Sequence, residues 1–188
     1  MQTTLHIKNM VCARCIRTVH DELTALGLQV KSVTLGEATV EGEAHLDEIR
    51  PRLEAQGFEL LESNTAKLVE HIKTAVIHLV RSDTLEAMTE RVSEYLARVI
   101  GKDYEYLSSL FSSVEAMTIE RYIILQKIER VKELLVYDEL TLSEIAYRLG
   151  YSSTAHVSRQ FKEVVGMPPS AFKSLKDKPR TALDRIGQ

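Results

Sequence analysis

The apolar pattern of this chain changes character around Ser63-Asn64-Thr65, and the two regions on either side cannot share one architecture. Residues 3–62 switch repeatedly between a period of two and a period of three to four. Thr3, Leu5 and Ile7 alternate with their neighbours, which predicts a strand ending at Asn9-Met10. From Cys12 onward Ile16, Val19, Leu23 and Leu26 recur at helical spacing, and Gly27 stops that helix. Short alternating runs at 30–35 and 38–40 flank Gly36 and predict a strand pair. Leu46, Ile49 and Leu53 predict a helix over 45–56, with Pro51 an irregularity inside it, and a last strand covers 58–61 after Gly57. Beyond residue 66 the period is helical to the end, with Leu68, Ile72, Ala75, Val76 and Leu79 on one face.

The first region therefore predicts an α+β ferredoxin-like unit, in the order βαββαβ. An all-α domain with two helix-turn-helix units follows. The expected division is 1–63, 67–175 and a C-terminal tail at 176–188. A length of 188 residues accommodates two small domains. The longest apolar run, 75–80, is broken by His78 and falls far short of the roughly 18 residues of a membrane span. The first residues, MQTTLHIKNMVC, alternate and hold no continuous apolar segment, so neither signal peptide nor membrane association is expected. Two cysteines exclude a disulfide framework, and the expected location is the cytoplasm with both thiols reduced.

Net charge alone, −3, argues against a nucleic-acid binder, but the charge is segregated. Residues 1–65 carry −4, 66–82 carry +2, 83–140 carry −5 and 141–188 carry +4. The basic character lies in the last quarter of the chain, and a local positive surface is what attracts a polyanion.

Cys12 and Cys15, in Asn9-Met10-Val11-Cys12-Ala13-Arg14-Cys15, fall between a predicted strand and a predicted helix. That position puts both sulfurs near a helix N-terminus, where free amides and the macrodipole favour thiolate. Two thiolates at this spacing suit a soft ion in low coordination such as Cu(I), or supply half of a tetrahedral Zn(II) site. A thioredoxin-type redox pair or two incidental cysteines are the competing readings. His6, His20, His45, His71 and His78 show no ligand spacing.

With Met10 two residues before Cys12 and Gly57-Phe58 ahead of the last strand, residues 3–62 resemble the heavy-metal-associated domain of copper chaperones and copper ATPases. The resemblance implies Cys12 and Cys15 as Cu(I) ligands, with Met10 supporting the loop and Phe58 packing beside it. This chain departs from that family at Asn9, which stands where Gly is usual, and at Arg14, which adds a charge between the cysteines.

Residues 141–170 hold the sharpest local signals. Thr141 and Glu144 form a capping box that opens a helix bearing Leu142, Ile145, Ala146 and Leu149, and Gly150 ends it. Ser152-Ser153 then offers the cap of a second helix with Val157, Phe161 and Val164 facing inward, stopped by Gly166 and Pro168-Pro169. Its opposite face carries Ala155, Arg159 and Lys162, flanked by Thr154, His156 and Ser158. Arg159 is suited to a guanine edge, Lys162 to phosphate, and Ala155 or Thr154 to a thymine methyl. A solvated face on a plain helical hairpin is the competing reading. A second helix–Gly–helix unit lies at 92–114, turning at Gly101-Lys102-Asp103, with Leu107, Leu110, Phe111 and Val114 inward. A single helix over 118–136 joins the two, about 28 Å long and comparable to the roughly 34 Å between successive major-groove faces.

Through Leu142-Ser143-Glu144-Ile145-Ala146, Leu149-Gly150-Tyr151-Ser152-Ser153, Ser158-Arg159-Gln160-Phe161-Lys162 and Gly166-Met167-Pro168-Pro169-Ser170, residues 67–175 closely resemble the AraC-type DNA-binding domain. The resemblance implies a sequence-specific transcription factor that reads double-stranded DNA with two helices, its base readers falling on Thr154, Ala155, His156 and Arg159 beside the cap Ser153. In the first unit the corresponding face is Glu105, Ser108, Ser109 and Ser112, with Lys102 the one cation at the turn. Helix 67–80 reads either as a dimer seam or as the first core helix, so monomer and homodimer both stay open.

Together these readings predict a metal-responsive transcriptional regulator, with Cu(I) as the expected ion and Zn(II) or another soft metal as the alternative. The competing class is a metal-transfer module that exchanges copper with a donor protein and is merely localised by its helix-turn-helix part. No catalytic constellation or phosphate-cradling glycine loop is present in the sequence, so no enzymatic activity is expected.

Overall fold

A computed structural model describes residues 2–42, 44–82 and 85–187. The chain forms two compact units, Met1–Thr74 and Ala75–Gln188. Among the described residues no helix is long and apolar enough to cross a membrane.

The first unit runs β1 (Gln2–Lys8), α1 (Ala13–Ala25), β2 (Gln29–Thr34), β3 (Glu37–Glu41), α2 (Leu46–Ala55) and β4 (Glu59–Leu61). The strands form one antiparallel sheet in the order β2-β3-β1-β4. Alternation decides which face is buried. Leu5 and Ile7 of β1, Ala38 and Val40 of β3 and Leu60 of β4 point to one side and meet Val19 and Leu23 of α1 and Ile49 and Leu53 of α2. Met10 and Phe58 complete this core from the loops before α1 and β4. Pro51 lies inside α2 without ending it.

α3 (Asn64–Arg81) begins in the first unit and ends in the second. Ile72, Ala75, Val76 and Leu79 are all buried within the chain. With Leu68 half-buried, most of this face is core, as the core-helix reading expects.

The second unit continues with α4 (Val92–Ile100), α5 (Tyr104–Glu115), α6 (Ile119–Tyr137), α7 (Leu142–Arg148), α8 (Thr154–Val165) and α9 (Pro169–Ser174), and a 3₁₀ turn at Leu183–Arg185. α6 packs against α5, α7, α8 and α9. It buries Ile119, Tyr122, Ile128, Val131, Leu134 and Leu135 along with Gln126, Glu129 and Glu133, so it is covered nearly all round. The Pro168-Pro169 pair that the sequence offers as a stop is also a start: Pro169 is the first residue of α9, where a missing N–H costs nothing. α9 supplies Phe172, whose ring meets Phe161 of α8 edge-on with centroids 5.5 Å apart. Both rings are fully buried.

Replacing Phe161 with Ala opens a cavity against Phe172 and should cost about 3–5 kcal/mol. The expected result is a clear fall in the thermal or chemical unfolding midpoint of the second unit, whereas an unchanged midpoint would show that α8 is not anchored through this ring.

Candidate nucleic-acid interface and thiol pair

The α7–α8 pair is built from local chemistry. Thr141 Oγ1 accepts the Glu144 amide at 3.3 Å, and the Thr141 amide donates to Glu144 Oε2 at 2.7 Å, closing the capping box. These hydrogen bonds from Thr141 hold the Glu144 carboxyl below its ordinary pKa. At the turn, Gly150 has φ +65° and approaches the chain so closely that a Cβ would stand 3.3 Å from the Leu85 carbonyl oxygen. Glycine is favoured there on both counts. Ser153 Oγ then accepts the His156 amide at 3.1 Å and caps α8.

Tyr151 sets the placement of α8. Its hydroxyl donates to Gln160 Oε1 at 2.7 Å, its ring meets His156 edge-on at 5.2 Å, and Lys127 Nζ of α6 lies 5.1 Å from the ring centroid. Burial pushes the Tyr151 hydroxyl well above its ordinary pKa and lowers that of Lys127, so Tyr151 is a neutral donor throughout the working range.

With Val157 and Phe161 buried, the opposite side of α8 presents Thr154, Ala155, Arg159 and Lys162, all exposed, and Ser158, half-buried. Arg159 and Lys162 carry no ion pair within the described residues. His156 is different from its neighbours: half-buried, edge-on to Tyr151, with Nδ1 3.1 Å from Ser152 Oγ. Among the described residues nothing is hydrogen-bonded to its Nε2 edge.

The α4–α5 pair repeats the plan with different chemistry. Gly101 ends α4 in the left-handed region at φ +72°, and Leu107 and Phe111 are buried, Phe111 packing on Tyr122 at 5.6 Å. Glu105 and Ser109 are exposed on α5, Lys102 is exposed at the turn, and Ser108 and Ser112 are half-buried. The Asp103 side chain makes no capping bond to α5. Tyr104 donates its hydroxyl to Glu120, which holds that carboxyl below its ordinary pKa. Tyr106, more than half exposed, stands on the same helix, a residue the sequence pattern does not single out because its neighbours at 104 and 107 carry the core period.

In the first unit, Cys12 is the N-cap of α1 and Cys15 lies in its first turn, with the two sulfurs 3.4 Å apart. Both are free thiols, partly buried. Met10 is fully buried beneath them and Phe58 nearly so, in the core against which Cys15 and Ile16 pack. The two thiols differ. Burial disfavours a Cys12 thiolate, but the amides of Cys15 and Arg14, the Cys15 thiol and the Arg14 charge outweigh it and lower its pKa. Burial, followed by the neighbouring Cys12 sulfur, raises that of Cys15. The helix terminus thus favours one thiolate rather than both. Among the described residues no cluster of three or more His, Cys, Asp or Glu side chains is placed to hold a metal ion.

The family described as "Helix-turn-helix domain" matches residues 96–174. Among curated proteins, the chain is 28% identical over 111 residues to the Msm operon regulatory protein of Streptococcus mutans, covering 59% of this chain and 37% of that protein. It is 23% identical over 107 residues to the uncharacterized HTH-type transcriptional regulator YtdP of Bacillus subtilis, covering 57% of this chain and 14% of that protein. The chain thus spans little more than a third of the first relative's length and less of the second's. Among solved structures, the C-terminal domain of AraT, a response regulator from Geobacillus stearothermophilus, aligns with a TM-score of 0.49 at 22% identity, covering 59% of this chain and 87% of that one. The DNA-binding domain of AdpA, solved in complex with a target DNA, aligns with a TM-score of 0.42 at 22% identity, covering 53% and 90%. Residues 96–174 carry a helix-turn-helix domain.

The lowered pKa of Cys12 and the raised one of Cys15 predict unequal alkylation. Below the ordinary thiol pKa, Cys12 holds the larger thiolate fraction and reacts first with iodoacetamide. Peptide mass mapping of a partial reaction near neutral pH should find the label on Cys12, and equal labelling would refute the asymmetry.

Proposed function

We propose that this chain is an AraC-type transcriptional regulator that binds double-stranded DNA and responds to a soft metal ion held by Cys12 and Cys15, with Cu(I) the best-suited ion. The observation that carries the reading is the outward side of α8: Arg159 and Lys162 stand without an ion pair among the described residues, on a helix fixed at its start by Ser153, at its side by Tyr151 and beneath by Phe161.

A rigid helix with an exposed cationic face matches what the major groove requires. Arg159 reads a guanine edge through two donors, Lys162 neutralises phosphate, and Thr154 and Ala155 contact thymine methyls. Ser158 serves the backbone, and His156 contributes through its Nε2 edge. The α4–α5 pair plays the lesser part, because Glu105 repels phosphate and offers only an acceptor for a cytosine amine, with Ser109 and Lys102 beside it.

The first unit is read as a ferredoxin-like, heavy-metal-associated module. Its element order, and the thiol pair at the head of α1 over Met10 and Phe58, support that reading. Two sulfurs with no further donor cluster among the described residues suit a soft ion in low coordination better than the four ligands of structural zinc. Cu(I) would supply a ligand-state signal at that loop, and Cys12 and Cys15 would hold it.

Replacing Arg159 with Ala should weaken binding to a selected duplex by about 1–3 kcal/mol, whereas Ser109→Ala leaves it nearly unchanged. Comparable losses in a fluorescence titration would overturn the assignment of affinity to α8. The metal part is tested separately, by measuring DNA affinity with and without Cu(I) in the wild type and in Cys12→Ser/Cys15→Ser. A response confined to the wild type is expected; metal-independent binding by both proteins would eliminate the sensor reading.

A further inference from the structure

His156, in the first turn of α8, is held from three directions. Its backbone N–H donates to Ser153 Oγ at 3.1 Å, its Nδ1 lies 3.1 Å from Ser152 Oγ, and its ring meets Tyr151 edge-on with centroids 5.2 Å apart. Three consecutive residues of the turn thus each engage a different part of this one residue. The ring is half-buried, whereas Thr154, Ala155 and Arg159 around it are exposed.

Tyr151 is itself fixed. Its hydroxyl donates to Gln160 Oε1 at 2.7 Å, one turn beyond His156 on the same helix, and Lys127 Nζ of α6 lies 5.1 Å from its ring centroid. The wall on which His156 rests is therefore tied to both α8 and α6, two helices that pack together inside the second unit. A side chain held in this way loses little rotamer freedom when it meets a ligand.

Ser152 decides the chemistry of the ring. In a neutral imidazole one nitrogen donates and the other accepts, so the role of Nδ1 dictates the opposite role for Nε2. A serine hydroxyl can play either part, and the surface that α8 meets selects between them. The major groove presents guanine N7 and O6, adenine N7 and thymine O4 as acceptors against only two amines as donors. A histidine facing that surface is matched when Nε2 carries the proton, which is the form in which Nδ1 accepts from Ser152. His156 also stands three residues before Arg159, about 4.5 Å along the helix against the roughly 3.4 Å rise of a base pair, so the two side chains address neighbouring base pairs.

We infer that Ser152 is a positioning residue for base recognition: by donating to Nδ1 it keeps the proton of His156 on Nε2, and His156 then reads a purine N7 in the base pair beside the one that Arg159 reads. The inference rests on the DNA-binding reading above. It makes Ser152, which itself need touch no base, a determinant of sequence preference at one position.

The test uses the full chain and a duplex recovered by in vitro selection with it, with fluorescence titrations against that duplex and its single-base-pair variants. The position read by Arg159 is the one whose preference disappears in Arg159→Ala. At the neighbouring position the wild type should prefer a purine by roughly 5- to 150-fold, the range of an ordinary mismatch. Ser152→Ala should bring that preference down to the level of His156→Ala while the preference at the Arg159 position keeps its wild-type value, and Ser152→Thr, which retains the hydroxyl, should restore it. A 7-deazapurine at the same position, which lacks only the N7 acceptor, should weaken the wild type as much as a pyrimidine does and leave Ser152→Ala unchanged. Ser152 is exposed, so its truncation spares the core, and a merely structural role would lower affinity for every duplex alike. A wild-type preference in Ser152→Ala, or a position indifferent to the loss of N7, overturns the inference with DNA binding intact. Failure of the wild type to enrich any duplex overturns the DNA-binding reading, and this inference with it.

Discussion

The second unit depends on two carboxylates buried in its central helix. Glu129 and Glu133 lie one turn apart on α6, each less than a tenth exposed. Glu133 meets Arg81 of α3 and Arg130 of α6, and Glu129 meets Lys132. Arg180 and the Thr181 amide, from the segment after α9, reach Glu129 at 3.3 and 3.0 Å. Such a network contributes little net stability relative to apolar packing, but removing one partner strands a buried charge at about 3–5 kcal/mol. What it fixes is register. α6 is covered nearly all round, so apolar contacts alone would tolerate a rotation about its axis. Two carboxylates that must meet partners from α3 and the C-terminal segment do not. Both helix pairs inherit their positions from that choice.

This explains which parts of the fold were legible in the sequence. Caps and turns are local, so Thr141, Gly150, Ser153 and Gly101 mark the helix-turn-helix units to within a residue or two. Alternation in β1 and β3 is likewise visible, because each strand shows the core only one face. Charged core residues are not visible this way. Glu129 and Glu133 read as ordinary solvated positions until their partners, some 50 residues away, are placed. The same holds for Glu70, whose bond to Asn9 spans 61 residues. α9 was hidden because Pro169 reads as a terminator where it is an initiator, and the C-terminal stretch read as a tail although Ile186 is buried. In the site, the outward face of α8 followed from its period. The engagement of His156 by Tyr151 and Ser152 did not, since it depends on ring geometry.

The two thiols at the start of α1 are chemically unequal. A helix start favours thiolate, but its amides point at the cap position. Cys12 occupies that position and receives them, whereas Cys15 sits one turn in and meets the buried core and the Cys12 sulfur. Their inequality follows from a spacing of three across a helix boundary. Any electrophile or soft ion arriving there meets one sulfur whose thiolate is favoured and one whose thiolate is disfavoured.

The two helix pairs are unequal for a related reason. Each buries the same kind of aromatic anchor, Phe111 in one and Phe161 in the other, so packing does not distinguish them. The outward chemistry does. α8 begins with a side-chain cap and shows Arg159 and Lys162, whereas α5 lacks such a cap and shows Glu105 and serines. Phosphate attraction scales with the cations presented, and base discrimination with donors held rigidly. In the proposed regulator both concentrate on α8, inside the most positively charged stretch of the chain. A net charge of −3 is then no obstacle to binding DNA, because the acidic residues lie largely in other segments. It limits instead how far non-specific attraction can contribute, and leaves recognition to the few groups that α8 holds in place.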